Sequence, residues 1–290
     1  MAITVSPGSV ATLDEVVEAV ASWQQEGAPV QVHPGDLGWN TSLGTQHLAD
    51  ELRVWRRDGR LVAIGMADGL IRLALAPEVD EDEEFAARLV DDLSDPARGV
   101  LPAGGSVEAR YGAALRRVLE RRGWTPDESW TPLRRSLAEP VEDVGRRVEM
   151  LDAGHAPEQV VLDRVAVHRA AFVGSTFSVE RWRAMAASAS YRRARCLVAY
   201  DDDGHAVAAT TVWSAGERRP GLIEPLGAHR DFRGRGHGRA ITLAAAAALR
   251  ELGASSVTVC TPSTNTVAVG AYVAAGFEQL PEVTDFRMPS

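Results

Sequence analysis

An arginine–glycine turn, Arg233-Gly234-Arg235-Gly236-His237-Gly238-Arg239, constrains this chain more than any other stretch. Before it lies an apolar run, Leu222-Ile223-Glu224-Pro225-Leu226-Gly227-Ala228, which reads as a strand. After it, residues 240–252 are rich in alanine and read as a helix. A helix that starts from such a turn has N–H groups without internal partners, and its dipole draws negative charge to them. Glycine lets an anion approach the backbone closely. Arg233, Arg235 and Arg239, with Arg230 just upstream, add donors suited to phosphate oxygens. The turn reads as a diphosphate cradle.

Two common phosphate motifs are excluded. A P-loop ends in Gly-Lys and then Ser or Thr, whereas this turn ends in Gly-Arg-Ala. A dinucleotide fingerprint spaces its glycines Gly-x-Gly-x-x-Gly, whereas Gly234, Gly236 and Gly238 alternate strictly. What remains is Arg-x-x-Gly-x-Gly at Arg233, Gly236 and Gly238. One helix and one strand later comes a second pattern, Asn265, Ala268, Tyr272, Gly276 and Phe277. In this order the two patterns resemble the signatures of the GNAT superfamily of N-acetyltransferases, which hold acyl-coenzyme A.

The rest of the chain agrees with a soluble globular protein. Hydrophobic residues make up 45% and charged residues 24%, which excludes a disordered class. No apolar run reaches the ~18 residues of a membrane span, and the N-terminus lacks the basic and apolar regions of a signal peptide. Cys196 and Cys260 are too few for a disulfide framework, so a cytoplasmic location is expected. A net charge of −9 argues against nucleic acid as the partner. All 31 basic residues are arginine. With the alanine content, this suggests a GC-rich bacterial genome.

Residues 13–25 have helical spacing, with Thr12 before them and Gly27 after. His33-Pro34-Gly35-Asp36-Leu37-Gly38-Trp39 reads as a turn-rich loop. Residues 52–55, 61–66 and 71–75 read as strands joined by turns at Asp58-Gly59 and Asp68-Gly69. An acidic stretch at 79–84 opens a helix to Leu93, a second helix covers 111–122, and 130–133 is a last strand. The C-terminal half runs strand, two helices, three strands, helix, strand, helix, strand. Helices that end in Gly123-Trp124 and Gly276-Phe277 suggest that the first half repeats the second. Its acidic 77–84 would repel a diphosphate.

The expected fold is α/β (α+β), two GNAT-like domains, each with a mixed, mostly antiparallel sheet flanked by helices. Residues 1–140 form a degenerate copy without a coenzyme A signature, residues 146–290 the catalytic one, and 139–145 the linker.

Acetyl transfer needs an oxyanion donor, a base and an acid. Pro225 has no N–H and marks an edge or bulge. Gly227 beside it lets the backbone deform. The amide of Gly227 or Ala228 would then receive the acetyl oxygen, while Leu226, Gly227 and Ala228 pair with the pantetheine arm; the resemblance implies the same. It also implies Tyr272 as the general acid, a phenol that equally serves as core packing. Glu224 is a carboxylate amid apolar neighbours, sharing a face with Leu222, Leu226 and Ala228 by alternation. It is the candidate base, with His229 the alternative. Asn265 is either a pantetheine contact or a helix N-cap. Cys260 reads as a core residue, His168 and His237 as structural or exposed, and no spacing suggests a metal.

The reading is an acetyl-CoA-dependent N-acetyltransferase that acts on a small amine by direct attack in a ternary complex. A non-catalytic acyl-CoA binding module and a protein N-acetyltransferase are the alternatives. Phe172, Phe177, Trp182 and Trp213 lie where the family builds its acceptor wall. The acidic balance suits a cationic amine, and the tandem layout resembles mycothiol synthases. The expected partners are a coenzyme A thioester and an amine, with no nucleic acid or membrane, in a monomer or homodimer.

Overall fold

The computed structural model describes residues 2–143 and 145–289; Val144, within the expected linker, lies outside the described residues. The N-terminal half runs β1 (Ile3–Pro7), α1 (Leu13–Trp23), α2 (Pro34–Asn40), α3 (Thr45–Glu51), β2 (Leu52–Arg57), β3 (Arg60–Ala67), β4 (Ile71–Leu75), α4 (Glu83–Ser94), β5 (Ser106–Glu108), α5 (Ala113–Arg121) and β6 (Thr125–Ser136). The C-terminal half runs β7 (Val148–Leu151), α6 (Glu158–Ala171), α7 (Val179–Ala186), β8 (Ala194–Tyr200), β9 (Ala206–Trp213), β10 (Gly221–Ala228), α8 (His237–Glu251), β11 (Ser256–Pro262), α9 (Thr266–Ala274), β12 (Glu278–Gln279) and β13 (Val283–Arg287). Among the described residues no helix is long and apolar enough to cross a membrane.

The halves repeat one topology. Strands β2, β3 and β4 are antiparallel; α4 then leads to β5, which pairs parallel with β4 at Ile71–Val107 and Arg72–Glu108. Strands β8, β9 and β10 are antiparallel; α8 then leads to β11, which pairs parallel with β10 at Gly221–Val257 and Leu222–Thr258. This is the mixed, mostly antiparallel α/β architecture that the sequence implied.

The sheet is nevertheless continuous, in the order β1-β2-β3-β4-β5-β13-β6-β11-β10-β9-β8-β7. Strand β6 pairs with β11 of the other half, and β13 pairs with β5. Each half therefore lends its last strand to its neighbour's sheet. The cores follow the strands. Leu133 and Leu137 are buried with α8 in the C-terminal core, and Phe286 is buried with β5 and α5 in the N-terminal core. The α6–α7 side has its own core around Trp213, Tyr191 and Phe177.

The segment read as a loop at 33–39 is instead helix α2, and the reason is tertiary. His33 Nδ1 accepts the Gly35 amide at 3.0 Å, and Asp36 Oδ2 accepts the His33 amide at 2.6 Å, which closes a capping box. Gly35 and Gly38 look like turn residues, but they let the helix lie flat on Trp213. A Cβ at Gly35 would stand 2.4 Å from the ring, and one at Gly38 2.3 Å.

Candidate acyl-CoA site

The parallel pairing of β10 with β11 stops at Leu222. Beyond it β10 bulges between Ile223 and Leu226, around a cis Glu224–Pro225 bond, and then continues against β9 alone. A wedge opens between β10 and β11. The His229 amide donates to Val207 of β9 at 2.8 Å. Antiparallel alternation then turns the amides of Leu226 and Ala228 away from β9, into the wedge. Gly227 sits where α6 comes closest, since a Cβ there would stand 2.6 Å from Ala171 Cβ and 2.9 Å from the Phe172 ring.

The glycine turn follows directly. Gly234 and Gly236 have φ of +76° and +81°, which only glycine adopts freely. Gly236 is the N-cap of α8 and supplies no side chain, so the helix N-terminus is uncapped. Gly238 is outside the left-handed region and has nothing within 4 Å of an added Cβ; the fold itself does not require glycine there. At the equivalent place in the N-terminal half, the Asp82 carboxylate accepts the Phe85 amide, and Glu83 and Glu84 fill the first turn of α4. The same topology thus presents an open cationic helix end in one half and a carboxylate-filled one in the other.

The arginines divide. Arg230 and Arg233 donate to the carbonyls of Ala170 and Ala171 at the end of α6, at 2.8 and 2.9 Å. Arg239 donates to Ala274 at the end of α9 and pairs with Glu142. These three hold the turn against two helix C-termini. Arg235 lies over the Phe232 ring at 5.5 Å. The His237 ring is buried, and its pKa is lowered first by that burial.

Glu224 lines a cavity of about 260 Å³ between the halves, with Asp36, Asp68, Arg72 and Glu108 from the N-terminal side and Cys260 from β11. Arg72 is held by Asp36 at 2.9 Å and Glu108 at 3.0 Å. Arg110 is held by Glu108 at 3.2 Å and Asp285 at 3.5 Å. Both cavity arginines are thus spent on internal pairs. Burial, then the charge of Asp36, pushes the Glu224 carboxyl up to about 8. Burial pushes the Cys260 thiol up to about 12, so it is an inert packing group. Burial, then the Glu224 charge, raises the Tyr272 phenol above its ordinary value; its ring packs on Phe277 at 5.5 Å. Asn265 caps α9 by accepting the Ala268 amide at 3.2 Å.

The face assignment made by alternation does not survive the bulge. Leu222 packs on the α6 side, whereas Leu226 and Ala228 pack on the α8 side with Ile223. Of the wall aromatics, Phe172 and Phe177 line a second, open cavity with Trp39, His168 and Pro225. Trp182 and Trp213 are core. His229 lines neither cavity and accepts the Asp231 amide. Sequence reasoning missed Asp36, Arg72 and Glu108. One signal was present: Pro34 after His33, with an acid at the third helical position, marks a helix start.

Residues 150–277 match the model of the Acetyltransferase (GNAT) family. No curated protein matches the chain. Among solved structures, a tandem GNAT protein from the clavulanic acid biosynthesis pathway superposes with a TM-score of 0.60 at 16% identity, covering 100% of both chains. An acetyltransferase from the GNAT family of Colwellia psychrerythraea gives 0.60 at 15%, again over 100% of both. A GCN5-related N-acetyltransferase from Sphaerobacter thermophilus gives 0.54 at 18%, over 99% of this chain and 95% of that one. Residues 150–277 therefore belong to the Acetyltransferase (GNAT) family, within a chain that has the tandem GNAT fold.

Proposed function

We propose that this protein transfers an acetyl group from acetyl-CoA to a small cationic amine, by direct attack in a ternary complex. The observation that carries the reading is the β10–β11 wedge, which leads to the uncapped, glycine-lined N-terminus of α8. That end suits a diphosphate. Leu226, Gly227 and Ala228 offer an unpaired strand edge for the pantetheine arm, and the Ala228 amide is the donor for the carbonyl oxygen. Residues 146–290 form the catalytic unit. Residues 1–140 form a GNAT-like unit whose corresponding helix end is closed by Asp82. Both cysteines are free, which suits a cytoplasmic location.

In the reaction the ammonium first loses a proton to solvent; the free amine nitrogen then bonds to the thioester carbonyl carbon, and the carbon–sulfur bond breaks. The amine gives up its proton to Glu224. The departing thiolate takes a proton from Tyr272, whose raised pKa keeps the phenol protonated until the sulfur needs it. Solvent restores both groups. The acceptor occupies the cavity between the halves. Its walls carry Asp36, Asp68 and Glu108 against Arg72 and Arg110, with Glu224 adding charge as it loses its proton, so the balance favours a cation and offers no free arginine to a carboxylate.

The test is coenzyme A release from acetyl-CoA with diamines, amino sugars, amino acids and peptides as acceptors. Turnover with small cationic amines is expected, falling by about 10²–10⁴ in Glu224→Gln. Acetyl-CoA binding without release for any amine would leave a binding module, and release only with peptides would make it a protein acetyltransferase.

A further inference from the structure

Not every acid at this site belongs to the half that carries the glycine turn. Asp36 lies on α2 of the N-terminal half, is 2% exposed, and lines the same cavity as Glu224. Its position is fixed from several directions. Oδ2 accepts the His33 amide at 2.6 Å, and Oδ1 lies 2.9 Å from an Arg72 guanidinium nitrogen. His33 is itself tied to the C-terminal half, since its Nε2 donates to the Pro220 carbonyl at 3.1 Å, just ahead of β10. Burial lowers the His33 pKa to about 4, so the ring is neutral, with the proton on Nε2 and Nδ1 free to accept.

Beneath α2 lies Trp213, whose indole N–H donates to the Glu224 carbonyl at 2.6 Å. Gly35 and Gly38 press the helix onto that same ring. One indole therefore clamps the backbone that carries Asp36 to the backbone that carries Glu224. Both carboxyls line one cavity, and Asp36 acts on Glu224 through its charge and through a side-chain hydrogen bond. Oδ1 of Asp36 receives no well-aligned hydrogen bond from any described residue. Two carboxyls in such contact hold one proton between them, because two bare carboxylates repel and neither has a donor to offer.

Resting on the reading of Glu224 as the base, we infer that Asp36 is a positioning residue, which shares one proton with Glu224 and so sets the pH at which Glu224 is free to take a proton from the amine. The other groups that face Glu224 modify this without replacing it. Arg72, from β4, favours the charged form, and Glu108, from β5, opposes it. Tyr272, from α9, faces Glu224 as a neutral phenol. Asp68 and the paired Arg110 complete the charged lining. The half without a glycine turn is thus part of the site, because it tunes the base supplied by the other half. The form competent to accept a proton is the pair that has released the shared one, so turnover rises with pH through about 8.

The experiment is a carbon-13 NMR titration of the full chain with labelled aspartate and glutamate carboxyls, which needs no acceptor. Glu224→Gln and Asp36→Asn assign the two resonances. In the wild type the Glu224 resonance is expected to titrate near 8. In Asp36→Asn the Glu224 midpoint falls by about one pH unit or more, because a neighbouring negative charge is gone. A Glu224 midpoint in the ordinary carboxylate range in the wild type, or one that does not move in Asp36→Asn, overturns the inference. Asp36→Ala, which also removes the charge, gives the same comparison if Asp36→Asn does not fold. Full turnover by Glu224→Gln, by contrast, removes the base reading and leaves the proton sharing intact.

Discussion

Replacing Gly38 with alanine tests how tightly the two halves are pressed together. The new Cβ would stand 2.3 Å from Trp213 Cζ3, 2.7 Å from Cη2 and 2.8 Å from Ser190 Cβ. Carbon atoms rest about 3.5–4.0 Å apart, so the helix or the ring must retreat by roughly 1 Å. Trp213 is 1% exposed and bonded to the Glu224 carbonyl, so the ring cannot move without loosening that bond. Overpacking of this kind costs about 1–3 kcal/mol, and weakening a buried hydrogen bond about 0.5–1.5 kcal/mol more. Alanine offsets up to about 1 kcal/mol of this through helix propensity. Gly270→Ala in α9 isolates that last effect, since a Cβ there meets nothing within 4 Å. Scanning calorimetry of the full chain should show Gly38→Ala losing roughly 0.5–4.5 kcal/mol, at about 2–4 °C in Tm per kcal/mol. Gly270→Ala should melt slightly higher than wild type. A Gly38→Ala protein that matches Gly270→Ala would refute the close contact.

Three further outcomes follow from the same geometry. Phe286→Ala should cost about 3–5 kcal/mol and speed hydrogen exchange in β5 and α5, since the side chain lies in the N-terminal core; faster exchange confined to α8 and β11 would contradict the strand exchange. The Glu224 carboxyl titrates near 8 in the folded chain against 4.5 ordinarily, so the folded state holds the proton more tightly. Stability contributed by that group is full below 4.5 and is lost as pH rises to about 8. Glu224→Gln should therefore gain on wild type in denaturant midpoint between these pH values, and a constant difference would sink the buried-carboxyl account. Tyr272→Phe should lower kcat by about 10²–10⁴ with the KM for acetyl-CoA unchanged; equal kcat would leave Tyr272 a packing residue.

The glycine turn and its helix were legible because their physics is local. Alternating glycines before a helix specify backbone conformation within a few residues, and the φ values at Gly234 and Gly236 express it. Asn265 was legible as a helix N-cap through its place just before α9. The bulge at Pro225 was legible because proline cannot continue a ladder, but its consequence, the turning of Leu226 and Ala228 to the α8 side, was not. Gly35 and Gly38 misled because glycine for a turn and glycine for close packing look alike in sequence. Strand exchange was hidden for a different reason: β6 and β13 each have the pattern of a final strand, and nothing in that pattern names the sheet they join. Asp36 and Glu224 line one cavity from different halves of the chain, so their meeting there could not be read from either segment.

Acetyl-CoA binding to wild type and to Gly238→Glu, measured by calorimetry and melting, tests the central claim most directly. A glutamate there meets no neighbour and lies at a helix N-terminus that favours its charge, so the variant should fold as well as wild type. At about 100 times its dissociation constant, acetyl-CoA should stabilise wild type by about 2.7 kcal/mol. Gly238→Glu should show little or none of this, because its carboxylate takes the place of the diphosphate. Equal stabilisation of both proteins, or of neither, would contradict an acyl-CoA site at the head of α8.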